Sequence, residues 1–295
     1  MFVSVIVPMY NAERYLAACL DGLVSQDYPS NEYEILLVDN QSTDRSVAIS
    51  RRYRQVTLLS EAAPGAYLAR NRGIKAARGE ILAFTDPDCV PEASWIREIA
   101  NAMSDPGTDL VCGRRVPARR SLLLASIGDY ENTKDRFVME AVDPELYYGY
   151  TSNMGVRRDL FDSLGLFLDL PRGADALFVR RVAGERSCAK IRYLASAIVT
   201  HLELDRVSVY YKKVFLYGRH RRRANSILRT RPLNLVERME IYRRTVATGH
   251  YSLLRSAALL GALGLGSLVW SFGSATAKIG KVTSSGHMTG APNVR

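Results

Sequence analysis

The sequence predicts an α/β protein in which helices cover both faces of a mostly parallel sheet. The chain has 295 residues, 47% of them hydrophobic and 24% charged, which suits one large or two small domains and excludes a disordered or fibrous protein. Short β-branched runs alternate with segments whose apolar residues recur every three or four positions. Polar residues follow three of these runs, at the strand ends where ligands bind in parallel sheets.

Within the first 115 residues, this alternation gives the order of the elements. The predicted strands are residues 3–7, 34–38, 56–59, 80–84 and 110–112. The predicted helices are residues 12–24, 44–53, 66–77 and 94–103. Strand followed by helix, repeated, is typical of a sheet with both faces buried.

The rest of the chain has a less regular pattern. It contains a predicted helix at 122–139, a Gly- and Tyr-containing stretch at 147–155, a helix at 175–183 and a strand at 197–200. We expect one α/β domain over residues 1–205. After it we expect a basic amphipathic helical extension (206–250), an apolar membrane-associating or transmembrane segment (251–280) and a disordered tail (281–295).

Charge and apolarity are concentrated in the last third of the chain. Residues 206–295 carry sixteen Lys/Arg and two acidic residues, whereas the remainder has a net charge of −4. Residues 256–277 are uncharged and long enough to span a bilayer, and basic residues flank them. Trp270, near one end, suits a membrane interface. A buried helix of a soluble domain is the alternative, and four glycines weaken the helix prediction.

Several protein classes are disfavoured by motifs that the sequence lacks. The four cysteines form no Cys-x-x-Cys pair, so neither a zinc ribbon nor a disulfide framework is indicated and a reducing compartment fits. The first strand is not preceded by the features of a secretory signal, so we expect the first domain in the cytoplasm. The turn after it, PMYNAERY, has no glycine, which argues against a nicotinamide or flavin enzyme.

Asp86 and Asp88 bracket Pro87 directly after the fourth predicted strand. Two carboxylates on a turn that a proline stiffens can converge on one hard divalent cation and through it on phosphate oxygens. Asp88 is alternatively a solvated N-cap of the helix that follows. The position at the carboxyl end of a strand favours the cation site.

Three motifs in order, SVIVPMYN (4–11), LLVDNQSTD (36–44) and ARNRGIKAARGEILAFTDPDC (69–89), resemble the N-terminal half of the family-2 glycosyltransferases. The resemblance covers about the first 95 residues strongly and continues more loosely to His201. It implies a GT-A fold with a Rossmann-like sheet. It also implies transfer of a sugar from a nucleotide-diphosphate donor, with inversion and with Mn²⁺ or Mg²⁺ as cofactor.

On the donor side, the resemblance implies that Pro8, Tyr10 and Asn11 line the nucleotide-base pocket and that Asp39 accepts a hydrogen bond from the base. A carboxylate at this position suits the imide N–H of uracil, so we expect a UDP-sugar. Tyr10 offers a flat face for stacking, although it could instead be an aromatic at the edge of the core.

The resemblance also assigns the charged residues around the diphosphate. Arg70 would help to hold the nucleotide, Asp86 would contact the ribose or the metal, and Asp88 would be the principal metal ligand. His201 would be a third ligand, since imidazole can complete a carboxylate site, although a lone histidine is more often structural. Arg70 could equally be a charge on a helix surface.

On the acceptor side, YTSNMGVRRDLFDSLGLF (150–167) and RGADALFVRR (172–181) resemble the acceptor segment and the catalytic acidic motif of the family. They imply that Asp175 is the general base of an inverting transfer. The alternative is a charge that the helix dipole favours at an N-terminus. Ala174 departs from the family pattern, because an acidic residue normally stands there.

The cluster RHRRR (219–223) has three possible roles. Arg219, Arg221 and Arg222 could close over the diphosphate, could face anionic lipid headgroups, or could form a solvated helix face. The Gln-x-x-Arg-Trp motif of processive relatives is absent, which indicates addition of a single sugar.

The combined expectation is a metal-dependent glycosyltransferase at the cytoplasmic face of the cell membrane. It would act on a lipid-linked glycan acceptor, in surface polysaccharide assembly. A catalytically impaired nucleotide-binding scaffold and a sugar nucleotidyltransferase are the alternatives, and the latter should begin with a Gly-rich loop that this chain lacks. Nucleic acid is not an expected partner, because the body is acidic and no reader motif is present.

Overall fold

The computed structural model describes residues 1–118, 121–225, 227 and 231–276, and for residues 221–225 it describes the backbone alone. The strands are β1 Val3–Met9, β2 Tyr33–Asp39, β3 Val56–Ser60, β4 Ile81–Thr85, β5 Cys89–Pro91, β6 Leu110–Pro117, β7 Asn153–Arg157 and β8 Ile191–His201. The helices of the first half are α1 Leu16–Val24, α2 Ser46–Ser50, α3 Ala66–Ala76, α4 Trp95–Met103 and α5 Leu122–Met139. Those of the second half are α6 Asp159–Leu164, α7 Ala174–Glu185, α8 Val207–Asn225, α9 Leu235–Thr248 and α10 Leu253–Ala275.

The eight strands form one sheet in the order β3-β2-β1-β4-β7-β6-β8-β5. Strands β1 to β4 pair in parallel, as do β6 and β8, whereas β7 runs antiparallel to both β4 and β6, and β5 runs antiparallel to β8. The sheet is therefore mixed, with more parallel than antiparallel pairs. Because β8 runs in the direction of β4, its last residue lies at the same sheet edge as the end of β4.

Both faces of the sheet are covered. All seven residues of β1 are buried, and they alternate between two apolar clusters. Val5 and Val7 lie in one cluster with residues of α1 and α4, while Ile6 lies in the other with residues of α3, α6 and α7. A strand buried on both sides is what the continuous apolar run 3–7 predicts.

The C-terminal helices pack on α5 and on one another. A third cluster joins α5 to α9 and α10 through Ile127, Ile241 and Leu259. Helix α10 also runs along α8, where Gly273 allows close approach: a Cβ there would lie 2.3 Å from the carbonyl oxygen of Phe215. The glycines that weaken the helix prediction therefore include one that the packing requires.

The main differences from the sequence prediction lie in the middle of the chain. Strands β5 and β7 were not predicted, because β5 has three residues and the sequence of β7, NMGVR, lacks a β-branched run. Strand β8 is longer than the predicted 197–200, and helix α2 is shorter than the predicted 44–53. The expected tail at 281–295 lies outside the described residues.

Candidate functional site

The carboxyl ends of β4 and β8 bring three predicted residues to one place. Asp86 and Asp88 follow β4, and His201 is the last residue of β8, paired with Cys89 of β5. His201 Nδ1 lies 3.3 Å from Asp88 Oδ2. Asp88, Cys89 and His201 each offer one potential ligand atom, and these three atoms lie within 4.8 Å of one another.

This cluster suits a divalent cation. His201 is buried, and among the described residues its Nδ1 atom has no hydrogen-bond partner. Nδ1 can ligate a metal in the tautomer that carries the ring proton on Nε2, so metal binding requires that Nε2 does not accept a hydrogen bond from Lys213. Burial, followed by the nearby charge of Asp86, raises the pKa of Asp88 to about 7. A cation would relieve the repulsion between the two carboxylates. Carboxylate and imidazole donors fit Mn²⁺ or Mg²⁺, with Asp88 and His201 as the residues that would hold it.

Lys213 of α8 reaches the same cluster, which the sequence analysis missed. Its Nζ atom lies 3.0 Å from His201 Nε2 and 2.7 Å from Glu203 Oε2. Burial lowers the pKa of Lys213, but the hydrogen bond with Glu203 and the charge of Asp88 outweigh burial and raise it. Burial and the Lys213 charge lower the pKa of His201. A fixed cation therefore stands beside the predicted metal ligands.

Arg70 is buried rather than displayed on a helix surface. It lies in α3 with 5% of its surface exposed and forms an ion pair with Asp86 Oδ1. Its guanidinium carbon is 5.2 Å from the centre of the Tyr67 ring. The ion pair with Arg70 thus holds the Asp86 carboxylate in place directly after β4.

Asp175 is buried in the first turn of α7, and both of its oxygens accept hydrogen bonds. Oδ1 accepts from the Tyr67 hydroxyl at 2.7 Å and from Ala176 N at 2.9 Å, and Oδ2 accepts from Thr151 N at 3.2 Å. Thr151 lies in the loop before β7, which the antiparallel pairing with β4 returns to the ligand edge of the sheet. Ala174, in contrast, is buried in an apolar cluster.

The residues of the predicted base pocket lie at the ends of β1 and β2. Tyr10 is 62% exposed directly after β1, which leaves its ring free for stacking. Asn11 has a positive φ of 47° and accepts a hydrogen bond from Thr43 N at 2.8 Å. Asp39 Oδ1 accepts from Ser42 N at 3.1 Å. Pro8 lies within β1 and is buried, opposite Val38 of β2.

Among the arginines of the cluster, the structure describes the side chain of Arg219. Arg219 is exposed on α8, and the side chains of Arg221 and Arg222 lie outside the described residues. Among the described side chains of α8, the cation in contact with His201 is Lys213.

A column of rings and guanidinium groups also lies beside the site, and sequence reasoning did not find it. Arg115 packs over Tyr150, with 3.9 Å from its guanidinium carbon to the ring centre, and Tyr150 lies 6.4 Å from Tyr217 of α8. Arg172 covers the other end, 5.7 Å from the Tyr217 ring. The tyrosines of the 147–155 stretch were a visible signal, but their partners come from β6 and α8.

Comparisons with known proteins agree with this architecture. The sequence model of the family described as "Glycosyl transferase family 2" matches residues 4–165. The chain is 33% identical to "Glycosyltransferase AglE" of Haloferax volcanii over 186 residues, which cover 61% of this chain and 60% of that protein. The chain thus spans less than two thirds of the length of this curated relative.

Two solved structures show a similar fold. TarS of Staphylococcus aureus in complex with UDP-GlcNAc has a TM-score of 0.54 at 20% identity, covering 91% of this chain and 81% of that one. A mannosyltransferase of Pyrobaculum calidifontis in complex with GDP-Man and Mn²⁺ has a TM-score of 0.59 at 20% identity, covering 92% of this chain and 84% of that one.

Proposed function

Because the chain belongs to glycosyl transferase family 2, we propose that it transfers a sugar from a nucleotide-diphosphate donor, preferably a UDP-sugar, to a lipid-linked glycan acceptor. The observation that carries this proposal is the convergence of Asp88 and His201 at the strand ends, beside Asp86. Asp175, in the first turn of α7, is hydrogen-bonded to the loop before β7 at the same edge of the sheet. Such a site has groups that can bind a cation and a diphosphate, and a carboxylate that can accept a proton.

The donor lies across the ends of β1, β2 and β4 in this proposal. Tyr10 stacks on the base, and the free oxygen of Asp39 accepts the uracil imide N–H, with Pro8 and Asn11 shaping the pocket. A relative in complex with UDP-GlcNAc, TarS, supports the choice of a UDP-sugar. A mannosyltransferase of similar fold in complex with GDP-Man makes a GDP-sugar the competing donor.

The chain itself would stabilise the departing diphosphate. A bound Mn²⁺ or Mg²⁺ would supply Lewis-acid stabilisation of the phosphate oxygens. Lys213 adds a positive charge beside Asp88 and His201, and Arg70 keeps Asp86 oriented toward the donor. In this proposal Arg219, Arg221 and Arg222 bind lipid headgroups or close over the donor.

Asp175 would act as the general base of an inverting transfer. Its carboxylate takes the proton of the acceptor hydroxyl while the hydroxyl oxygen bonds to the anomeric carbon. The bond from that carbon to the diphosphate breaks, and its electron pair leaves with the nucleotide diphosphate on the opposite face. Ala174 is buried in an apolar cluster, so the residue before Asp175 offers the acceptor no second carboxylate.

We assign membrane contact to the C-terminal helices. Helix α10 is long and apolar enough to cross a membrane by length and composition, with a mean hydropathy of 1.6 and 17% of that window buried. It also packs along α8, where the Tyr211 hydroxyl donates to the Ala262 carbonyl at 3.0 Å and Gly218 approaches the Trp270 carbonyl. A crossing α10 would carry α8, with its exposed Lys212 and Arg219, into the hydrocarbon. We therefore favour a helix that lies on the membrane surface.

The domain assignment follows from these roles. Residues 1–205 form the transferase domain, 206–250 the basic extension and 251–280 the membrane-associating segment. The acceptor is then a glycan on a lipid carrier at the cytoplasmic face of the membrane, which suits surface polysaccharide assembly.

The test is transfer of radiolabelled sugar from UDP-glucose and UDP-GlcNAc into a total lipid extract of the producing cells. We expect Mn²⁺-dependent transfer that Asp175→Asn abolishes. The matched control is Asp21→Asn, an exposed aspartate of α1 outside the proposed site, which should transfer at the wild-type rate. A folded wild-type protein that binds UDP but transfers no sugar would favour the scaffold alternative.

A further inference from the structure

We infer that Tyr67 is a positioning residue that orients Asp175 for proton abstraction, an inference that rests on the proposed role of Asp175. Tyr67 lies in the first turn of α3, 108 residues from Asp175 in sequence. It is buried, and its hydroxyl donates to Asp175 Oδ1 at 2.7 Å. The resemblance to the family assigned no role to this position.

The direction of this hydrogen bond is fixed by a second contact. The backbone N–H of Gly173 donates to the Tyr67 hydroxyl oxygen at 3.1 Å, so an acceptor lone pair is occupied and the single hydroxyl proton points to Asp175. Burial, and then the charge of Asp175, raise the pKa of Tyr67 well above its ordinary value of 10. The hydroxyl therefore remains a donor throughout the working pH range.

The contacts of Asp175 leave room for an acceptor. An ionised carboxylate has about four lone-pair sites. Tyr67, Ala176 N and Thr151 N occupy three of them in good geometry, while the Thr151 hydroxyl is more distant, at 3.5 Å. The fourth site, on Oδ2, faces the Thr151 hydroxyl at a distance long enough for an attacking hydroxyl to displace that contact. The hydrogen bond from Tyr67 to Oδ1 sets the orientation of the carboxylate and therefore of Oδ2.

Helix α3 also positions a residue on the proposed donor side of the site. Arg70, three residues after Tyr67, packs over its ring and pairs with Asp86. One rigid helix thereby sets the distance between the carboxylate beside the donor and the carboxylate beside the acceptor. This arrangement gives the alignment that a displacement at the anomeric carbon requires.

The hydroxyl can be tested separately from the ring. The Tyr67 ring packs against Phe167, with 5.7 Å between centres, and a phenylalanine would keep that contact. Tyr53→Phe is the matched control, since the Tyr53 hydroxyl donates to Asp21 at 2.8 Å, and neither residue belongs to the proposed site. Both variants lose one tyrosine–carboxylate hydrogen bond.

The experiment measures release of UDP from UDP-glucose or UDP-GlcNAc with Mn²⁺ and with water as the acceptor, as a function of pH. In Tyr67→Phe we expect kcat to fall about tenfold and the acidic limb of its pH profile to move up by about one pH unit, because the carboxylate loses a donor that favours its charged form. The KM for the donor and the stabilisation by UDP with Mn²⁺ should stay at wild-type values, and Tyr53→Phe should match wild type throughout.

The possible failures can be told apart. If Asp175→Asn keeps the wild-type rate, the proposed base is wrong and this inference fails with it. If Asp175→Asn is inactive but Tyr67→Phe shows the wild-type pH profile, only the positioning role is overturned. A Tyr67→Phe protein that does not fold would show that the hydroxyl is structural, which also overturns the inference.

Discussion

Arg70 shows how one buried side chain organises the donor side of the site. A guanidinium that is 95% buried is costly unless it is paired, and Asp86 supplies the pair. Lys213 is likewise held by Glu203 and His201. These two cations are therefore fixed by their own partners before any donor binds, which would reduce reorganisation during the proposed transfer.

Removal of the Arg70 charge should destabilise the protein more than removal of a surface charge. We expect Arg70→Met to lower the free energy of unfolding by about 2 kcal/mol or more, because Asp86 is left without its partner. Arg78→Met is the control: Arg78 pairs with Glu34 at 3.0 Å but is 72% exposed, so the loss should be about 1 kcal/mol or less. Urea unfolding of both variants measures the difference, and equal losses would contradict the buried role of Arg70.

At the scale of elements, the sequence predicts those parts of the fold that local patterns determine. Alternating strands and helices are visible up to residue 103 because both faces of each parallel strand must be apolar. Asp86, Asp88 and His201 could be selected because they follow or end predicted strands. Strand β7 could not be predicted from the sequence, because NMGVR becomes a strand through its pairing with β4 and β6.

The sequence alone also could not identify residues whose roles depend on tertiary contacts. Tyr67 looks like an ordinary helix aromatic, and only the fold places it against a carboxylate 108 residues away. Lys213 could not be singled out among the many cations of residues 206–244, because charge density in a sequence does not say which side chain contacts His201.

The packing of α10 on α8 predicts that alanine substitutions at two glycines of α10 change the free energy of unfolding in opposite directions. Gly264→Ala should raise the free energy of unfolding by about 0.8 kcal/mol through helix propensity, since a Cβ there meets no atom within 4 Å. Gly273→Ala should lower it by about 1–3 kcal/mol, because its Cβ would lie 2.3 Å from the Phe215 carbonyl oxygen. Denaturant unfolding in one detergent compares them, and a Gly273→Ala protein at least as stable as wild type would contradict the close α8–α10 contact.

At the scale of the whole molecule, the sheet order explains why distant residues meet. The antiparallel strand β7 between β4 and β6 returns the loop with Thr151 to the ligand edge, and β8 then ends there with His201. Helices α8 to α10 continue from that edge, so the surface that we propose to face the membrane and the proposed acceptor side of the site are consecutive in the chain. This continuity suits an acceptor carried on a lipid.

The exposed face of α10 should govern binding to membranes. Leu268 and Phe272 are 68% and 65% exposed on this helix. We expect the double variant Leu268→Gln, Phe272→Gln to bind vesicles of phosphatidylcholine with 30% phosphatidylglycerol about a hundredfold more weakly in a flotation assay, because about 3 kcal/mol of apolar burial is lost. Stabilisation by UDP with Mn²⁺ serves as the control for an intact transferase domain. Unchanged flotation would contradict membrane contact through this face.

The most direct test of the donor and metal site is thermal unfolding of the detergent-solubilised protein with UDP, GDP or CDP, each with and without Mn²⁺. A ligand at about 100 times its Kd stabilises the native state by about 2.7 kcal/mol. We expect this shift with UDP and Mn²⁺ together, its loss in Asp88→Ala and its retention in the control Asp162→Ala. If no nucleotide stabilises the protein, or if Asp88→Ala responds as wild type does, the assignment of Asp88 as the metal ligand of a nucleotide-sugar site is contradicted.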